Sequence, residues 1–357
     1  MSSAKPSTTP EESLTYPISR PEIGSFVPIC EGVWWIRLPL PFRLDHINVW
    51  ALEDGDGWAL VDTGIRTEET VVAWERLIGL APFDRPLRRI IVTHMHPDHI
   101  GMAGGLTRKF GCRLWITRLE FLTCRSLAAD TGREAPDDAV GFYRAAGWDA
   151  EAIETYRARF GFFGASLHAL PDSFHRLRDG DEILIGGRSW RVVVGSGHSP
   201  EHACLWCPEL KLFISGDQVL PKITSNVSVF PTEPDGDPLD DWLTSLAKVK
   251  GIVPNDVLVL PAHNDPFYGL HERLDDLISF HEQALQRLEK LIAEKKRAVD
   301  VFGVLFKRKI NEQVLSMATG ESLAHLNCLM RRGVAVRERD GAGVDWYRAA
   351  RTEEAPQ

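Results

Sequence analysis

The chain has 357 residues, 44% hydrophobic and 25% charged, which is the composition of an ordinary globular protein and excludes a disordered or collagen-like one. Fifty acidic against 41 basic side chains leave a formal charge of −9, which argues against a general coat for nucleic acid. No apolar run reaches the roughly 18–20 residues of a membrane span, the first residues lack the apolar core of a secretory signal, and six cysteines are too few for a disulfide scaffold. A cytoplasmic protein with no membrane contact is therefore expected.

Residues 1–25 read as a flexible tail, rich in Ser, Thr, Pro and Glu. Strands are expected at Val33–Leu38, His46–Glu53 and Gly57–Asp62, the last two joined by an Asp-Gly-Asp-Gly turn. Thr67–Leu80 reads as a helix with Val71, Trp74 and Leu77 on one face, and Arg89–Thr93 as a short buried strand. Residues 117–177 are rich in helix formers and aromatics, Phe142, Tyr143, Trp148, Phe160, Phe162 and Phe163 among them, without strand alternation. They read as a helical insertion able to roof a pocket. Strands return at Glu182–Ile185, Trp190–Val194, Ala203–Cys207 and Leu212–Ser215. A helix follows over Asp240–Val249, then a strand over Asp256–Leu260 and a long helix from Leu270 to Ile292.

The segment 295–351 carries twelve Lys or Arg and six Asp or Glu, net +6. Its pattern is three helices, at Ala298–Phe306, Asn311–Met317 and Ser322–Arg332, followed by a hairpin around Asp340-Gly-Ala-Gly. Three helices and a hairpin make a winged helix, expected over 293–351, with 352–357 as a tail.

The chemistry concentrates in Thr93-His94-Met95-His96-Pro97-Asp98-His99, which packs four metal-ligand side chains into six residues after a buried strand. Imidazole and carboxylate suit Zn²⁺ and other first-row divalent ions. Three more strands each deliver one such residue near their C-terminal end: His198 in Gly-Ser-Gly-His-Ser-Pro-Glu-His202, Asp217 in Phe-Ile-Ser-Gly-Asp, and His263 in Leu-Val-Leu-Pro-Ala-His. Convergence at strand ends is how layered α/β folds build sites.

This set resembles the metallo-β-lactamase superfamily over roughly residues 26–292. The resemblance implies an α/β fold, an αββα sandwich with the site along one edge of its two sheets, here with a helical insertion and a C-terminal winged-helix domain. It implies that His94, His96 and His198 hold a first metal ion, that Asp98, His99 and His263 hold a second, and that Asp217 bridges them. Two divalent ions are expected, Zn²⁺ first, with iron or Mn²⁺ also suited to His and Asp. Asp98, Asp62 and His202 are the candidate catalytic residues. Asp98 orients a bridging hydroxide, Asp62 in Leu-Val-Asp-Thr-Gly supports the metal loop, and His202 stands behind the metal ligands.

The favoured reaction is hydrolysis of a small-molecule ester or thioester, as in the glyoxalase II-like and acyl-thioesterase branches. The alternatives are a phosphodiesterase or endoribonuclease that contacts nucleic acid through Arg331, Arg332, Arg337 and Arg339 of the winged helix, and a non-catalytic binding or regulatory protein. A packing role for the winged helix is favoured over nucleic-acid contact, and a homodimer is compatible with it. Asn226 follows Asp217 closely enough to reach a substrate. Cys204 and Cys207 lie three apart in a strand, so they point to opposite faces and are read as structural thiols. His271 and His281 read as surface residues of a long helix, and His46, His168, His175 and His325 have no ligand context.

Overall fold

The computed structural model describes residues 14–350, so most of the expected tails lies outside the described residues. Strand pairs at the start of the chain build the first sheet: β1 (Ser25–Cys30), β2 (Val33–Pro39), β3 (His46–Asp54), β4 (Gly57–Val61), β5 (Leu87–Ile91), β6 (Arg113–Thr117) and β7 (His175–Leu177) lie side by side in chain order. The second sheet holds β8 (Glu182–Ile185), β9 (Arg188–Gly195), β10 (His202–Cys207), β11 (Leu212–Gly216) and β12 (Leu258–Pro261) in the order β12-β11-β10-β9-β8. Helices α1 (Glu68–Ile78), α2 (Pro97–Ile100), α3 (Ala103–Phe110) and α4 (Arg118–Ala129) accompany the first sheet, and α5 (Asp137–Ala145) and α6 (Ala150–Arg159) complete the insertion. Helices α7 (Pro238–Ile252), α8 (Leu270–Leu291), α9 (Phe302–Leu305) and α10 (Leu315–Arg331) follow, and β13 (Ala335–Arg339) pairs with β14 (Asp345–Ala349).

Alternation along the strands dictates the layering. In β3, Ile47, Val49 and Ala51 join a cluster with Trp74 and Leu77 of α1 and Leu106 of α3. Their neighbours Trp50 and Leu52 face the other way, into a cluster with Trp190, Val192, Leu205 and Ile214 of the second sheet. The far face of that sheet, through Val193, Phe213 and Val259, packs on Trp242 and Leu246 of α7 and Leu274 and Leu277 of α8. The result is the expected αββα sandwich. Cys204 and Cys207 follow the same rule, one in the outer cluster and one between the sheets, and both are free thiols.

Four expectations need correction. Residues 14–25 are not a loose tail: Leu14 is buried, Thr15 exchanges backbone hydrogen bonds with Tyr268, and Arg20 meets Asp265 at 2.6 Å. The insertion ends in a strand, since 175–177 form β7 beside β6. The C-terminal segment holds two helical stretches rather than three separate helices. Residues 298–305 make a short 3-10 turn and one turn of α-helix, and the other two expected helices are one continuous α10. This segment shares its core with the second sheet, because Leu323, Leu326, Leu329 and Tyr347 join the same cluster as Trp242 and Leu274.

His281 is also not a surface residue. It is fully buried, with Nδ1 3.3 Å from Nε2 of the equally buried His325. Burial, reinforced by the facing imidazole, pushes His281 down to about 3, and burial pushes His325 down to about 4. A histidine kept neutral in the fold gives its full stabilisation above its unfolded value, about 6.5, and loses it as pH falls toward the folded value. His281→Phe should therefore flatten the acid limb of the stability curve by about 2 kcal/mol between pH 6.5 and 5. Urea titrations of both proteins across that range measure it, and parallel curves would contradict the assignment.

Candidate metal centre

Strand ends bring the seven donors together. Parallel β4 and β5 stop at the same level, so Asp62 and the loop after Ile91 emerge side by side, with the Asp62 amide bonded to the Ile91 carbonyl at 2.9 Å. Thr93 joins the two sheets, its carbonyl accepting from the Ala203 amide at 2.8 Å. Asp217 follows β11, and His263 follows β12.

His94 Nε2 lies 2.9 Å from His96 Nδ1 and 3.2 Å from His198 Nε2. His263 Nε2 lies 3.4 Å from Asp98 Oδ2, and His99 Nε2 lies 3.6 Å from the same oxygen. Asp217 faces both groups, with Oδ2 3.4 Å from His198 Nε2 and 3.6 Å from His99 Nε2, and Oδ1 3.4 Å from His263 Nε2. Bonds of about 2.0–2.1 Å to a tetrahedral ion would set donors about 3.3–3.4 Å apart. The spacing matches, and buried His99 Nε2 and Asp217 Oδ1 have no hydrogen-bond partner. Buried polar atoms are seldom left so, and a cation satisfies both. The donors fit metal binding.

Electrostatics support it on the imidazole side. Burial, with the imidazoles of His99 and His96 close by, holds His94 well below its usual value, and burial beside His198 holds His96 at about 3. Both are thus neutral and open to a metal. On the carboxylate side the balance reverses. Burial opposes the charge on His263, but Asp217 and Asp98 push it up to about 10. Burial would raise Asp98, but His99 and His263 hold it at about 2.

Behind the donors lies a second set of contacts. Asp62, buried at φ +64°, accepts from the Thr93 amide at 2.8 Å and from its hydroxyl, and its Oδ2 lies 2.8 Å from His99 Nδ1. His202 is fully buried; its Nε2 accepts from the Asp217 amide at 3.0 Å, and its ring stacks on His94. Asp62 and His202 are thus buried behind the candidate ligands, whereas the Asp98 side chain remains 20% exposed.

Sequence reasoning missed two residues of this layer. Glu120, at the start of α4, is fully buried and accepts from the amides of Met95 at 2.9 Å and Glu201 at 2.7 Å, tying the metal loop to the His198 loop. Burial raises its carboxyl, and these hydrogen bonds oppose the rise. His46, dismissed for want of context, takes the His263 Nδ1 proton on its backbone carbonyl at 2.9 Å. Neither stands in a motif; a single acidic residue opening an amphipathic helix is the only signal Glu120 gives. Asn226 does reach the centre, and its backbone carbonyl lies 2.7 Å from His198 Nδ1.

The four arginines considered for nucleic acid already meet oxygens of this chain. Arg332 forks onto Glu282 at 2.9 Å, Arg337 meets Asp235 at 2.9 Å, Arg339 meets Asp345 at 2.7 Å, and Arg331 reaches the Asp235 carbonyl at 3.3 Å. Among the described residues, no helix is long and apolar enough to cross a membrane.

A four-layer sandwich with this donor set at its strand ends defines a metal-binding hydrolase. The chain belongs to the metallo-beta-lactamase superfamily, whose model matches residues 43–263, and a model described as metallo-beta-lactamase-like, C-terminal domain, matches 285–350. It is similar to a crystal structure of a beta-lactamase domain protein from Burkholderia ambifaria, 37% identical, with TM-score 0.87 over 96% of this chain and 99% of that one. It is also similar to a beta-lactamase-like protein 2 homolog of Caenorhabditis elegans, 23% identical over 72% of this chain and 68% of that protein. A third relative, the acyl-coenzyme A thioesterase MBLAC2 of Gallus gallus, is 26% identical over 71% of this chain and 84% of its own length.

Proposed function

We propose that the protein is a dinuclear hydrolase of acyl thioesters. The observation that carries the reading is Asp217 facing both donor groups, with Oδ2 3.4 Å from His198 Nε2 and Oδ1 3.4 Å from His263 Nε2. His94, His96 and His198 would hold one ion, Asp98, His99 and His263 the other, and Asp217 would span them. A bound pair of divalent ions, Zn²⁺ first among those His and Asp suit, would supply Lewis acidity and a water acidified to neutral pH. Asp98, the more exposed of the two carboxylates, would be the side chain placed to orient a nucleophilic water at the centre. Asp62 and His202 hold their donors still while charge develops.

Two observations support a thioester. The Gallus gallus relative is named as an acyl-coenzyme A thioesterase. Exposed apolar side chains also stand near the donor loops: Leu119, whose amide meets Glu201 at 2.9 Å, and Ile223 and Phe230 on either side of Asn226. Such side chains suit an acyl chain.

The metal-replete protein should release coenzyme A from medium-chain acyl-coenzyme A, lose that activity to a chelator and regain it with Zn²⁺. A thiol-reactive dye follows the release. Turnover of phosphodiesters without any of thioesters would overturn the substrate class.

A further inference from the structure

The segment 225–229 touches the metal centre on one side and the C-terminal helix on the other. Toward the centre, the Asn226 carbonyl faces His198 Nδ1 at 2.7 Å, and the Ser225 hydroxyl donates to the Asp217 carbonyl. It thus meets two donors that come from different strands. Toward α10, Asn226 Nδ2 donates to Glu321 Oε2 at 2.9 Å, the Ser228 hydroxyl donates to Asn226 Oδ1 at 2.6 Å, and the Val229 amide donates to the Gly320 carbonyl at 3.0 Å. Gly320 permits this approach, since a Cβ there would stand 2.7 Å from Ser228 Cβ and 2.9 Å from the Val229 carbonyl oxygen.

We infer that Glu321 is a positioning residue for the metal centre: by anchoring the Asn226 side chain it fixes the strap whose carbonyl aims His198 and whose Ser225 steadies Asp217. The inference rests on the reading of His198 and Asp217 as metal donors. A carbonyl on Nδ1 fixes the tautomer that leaves Nε2 free, and such outer contacts govern metal affinity. Both polar atoms of the Asn226 side chain are spent on Glu321 and Ser228, so Glu321 is the contact that ties this side chain to α10. The last part of the chain therefore enters the metal centre through two intervening residues without supplying a donor.

The test is metal affinity of the full chain, read by competition of Zn²⁺ against a chromophoric chelator, with the visible spectrum of the Co²⁺-loaded protein as a reporter of donor geometry. Glu321→Ala should weaken binding about tenfold, the scale of lost outer contacts, and alter the Co²⁺ bands. Glu321→Gln, whose amide oxygen still accepts from Asn226, should restore both to near wild type. Glu321→Ala with wild-type affinity and spectrum overturns the inference, as does an equal loss in both variants. If Glu321→Ala does not fold, Gly320→Ala decides: its Cβ pushes the strap away and should weaken affinity, and unchanged affinity overturns the proposal. A wild-type protein that binds no Zn²⁺ overturns the donor reading itself, whereas failure to hydrolyse thioesters leaves this inference standing.

Discussion

Alanine at Asp217 is expected to abolish metal-dependent hydrolysis, with a loss of well over a hundredfold in rate and less metal retained after dialysis. Three imidazole nitrogens lie 3.4–3.6 Å from the Asp217 oxygens. Losing an outer partner of a metal ligand already costs about 10–100-fold in metal affinity or activity, and Asp217 is itself the shared donor in the proposed site. The metal-free protein should suffer too. His263 is pushed up to about 10 against the cost of burial, first by Asp217 and then by Asp98. Without Asp217, much of the charge that compensates a buried imidazolium is gone. Metal content by elemental analysis, together with initial rates at saturating Zn²⁺, checks the expectation. A variant holding two ions per chain at full rate would refute the bridging role.

Alanine at Asp62 is expected to cost about 3–5 kcal/mol of stability, the scale for breaking a buried charged pair. Three donors lose their acceptor at once: the Thr93 amide, the Thr93 hydroxyl and His99 Nδ1. Each buried donor left unmet costs about 1–3 kcal/mol. Water cannot easily replace the carboxylate, because Asp62, Thr93 and His99 are all shut from solvent. Alanine also inherits φ +64°, a backbone region that aspartate tolerates better. Asp62→Asn should keep the two Thr93 contacts and lose less stability while still weakening the metal centre through His99. Denaturant midpoints for both variants measure the difference, and an alanine variant within about 1 kcal/mol of wild type would show that the loop holds itself.

What was legible in the sequence was what short-range pattern encodes. The donors announce themselves because four fall in one loop and the others follow apolar strands, and the helix of α8 announces itself by leucines at helical spacing. Elements that tertiary contacts rescue were not legible. Helix α3 opens Ala-Gly-Gly, a poor helix former, yet Gly104 is there because a Cβ would stand 2.0 Å from the Ala169 carbonyl oxygen. Strand β1 contains Pro28 and is tolerated because it is the edge of its sheet. The single helix α10 reads as two because Gly320 interrupts its pattern, and that glycine answers to Ser228, far away in the chain. Glu120 and His46 escaped for the same reason: Glu120 takes distant backbone amides and the His46 carbonyl takes a distant imidazole, contacts that no local spacing records.

The shared packing of α7, α8 and α10 has a consequence for descent. Two recognisable modules that rest on one continuous oily interior cannot be exchanged between relatives like beads on a string. A graft of the last seventy residues from a distant cousin would have to bring Leu323, Leu326 and Leu329 in the shapes that Trp242 and Leu274 already expect. Drift on one side of that seam is thereby tied to drift on the other, and the pair should be inherited as a single piece.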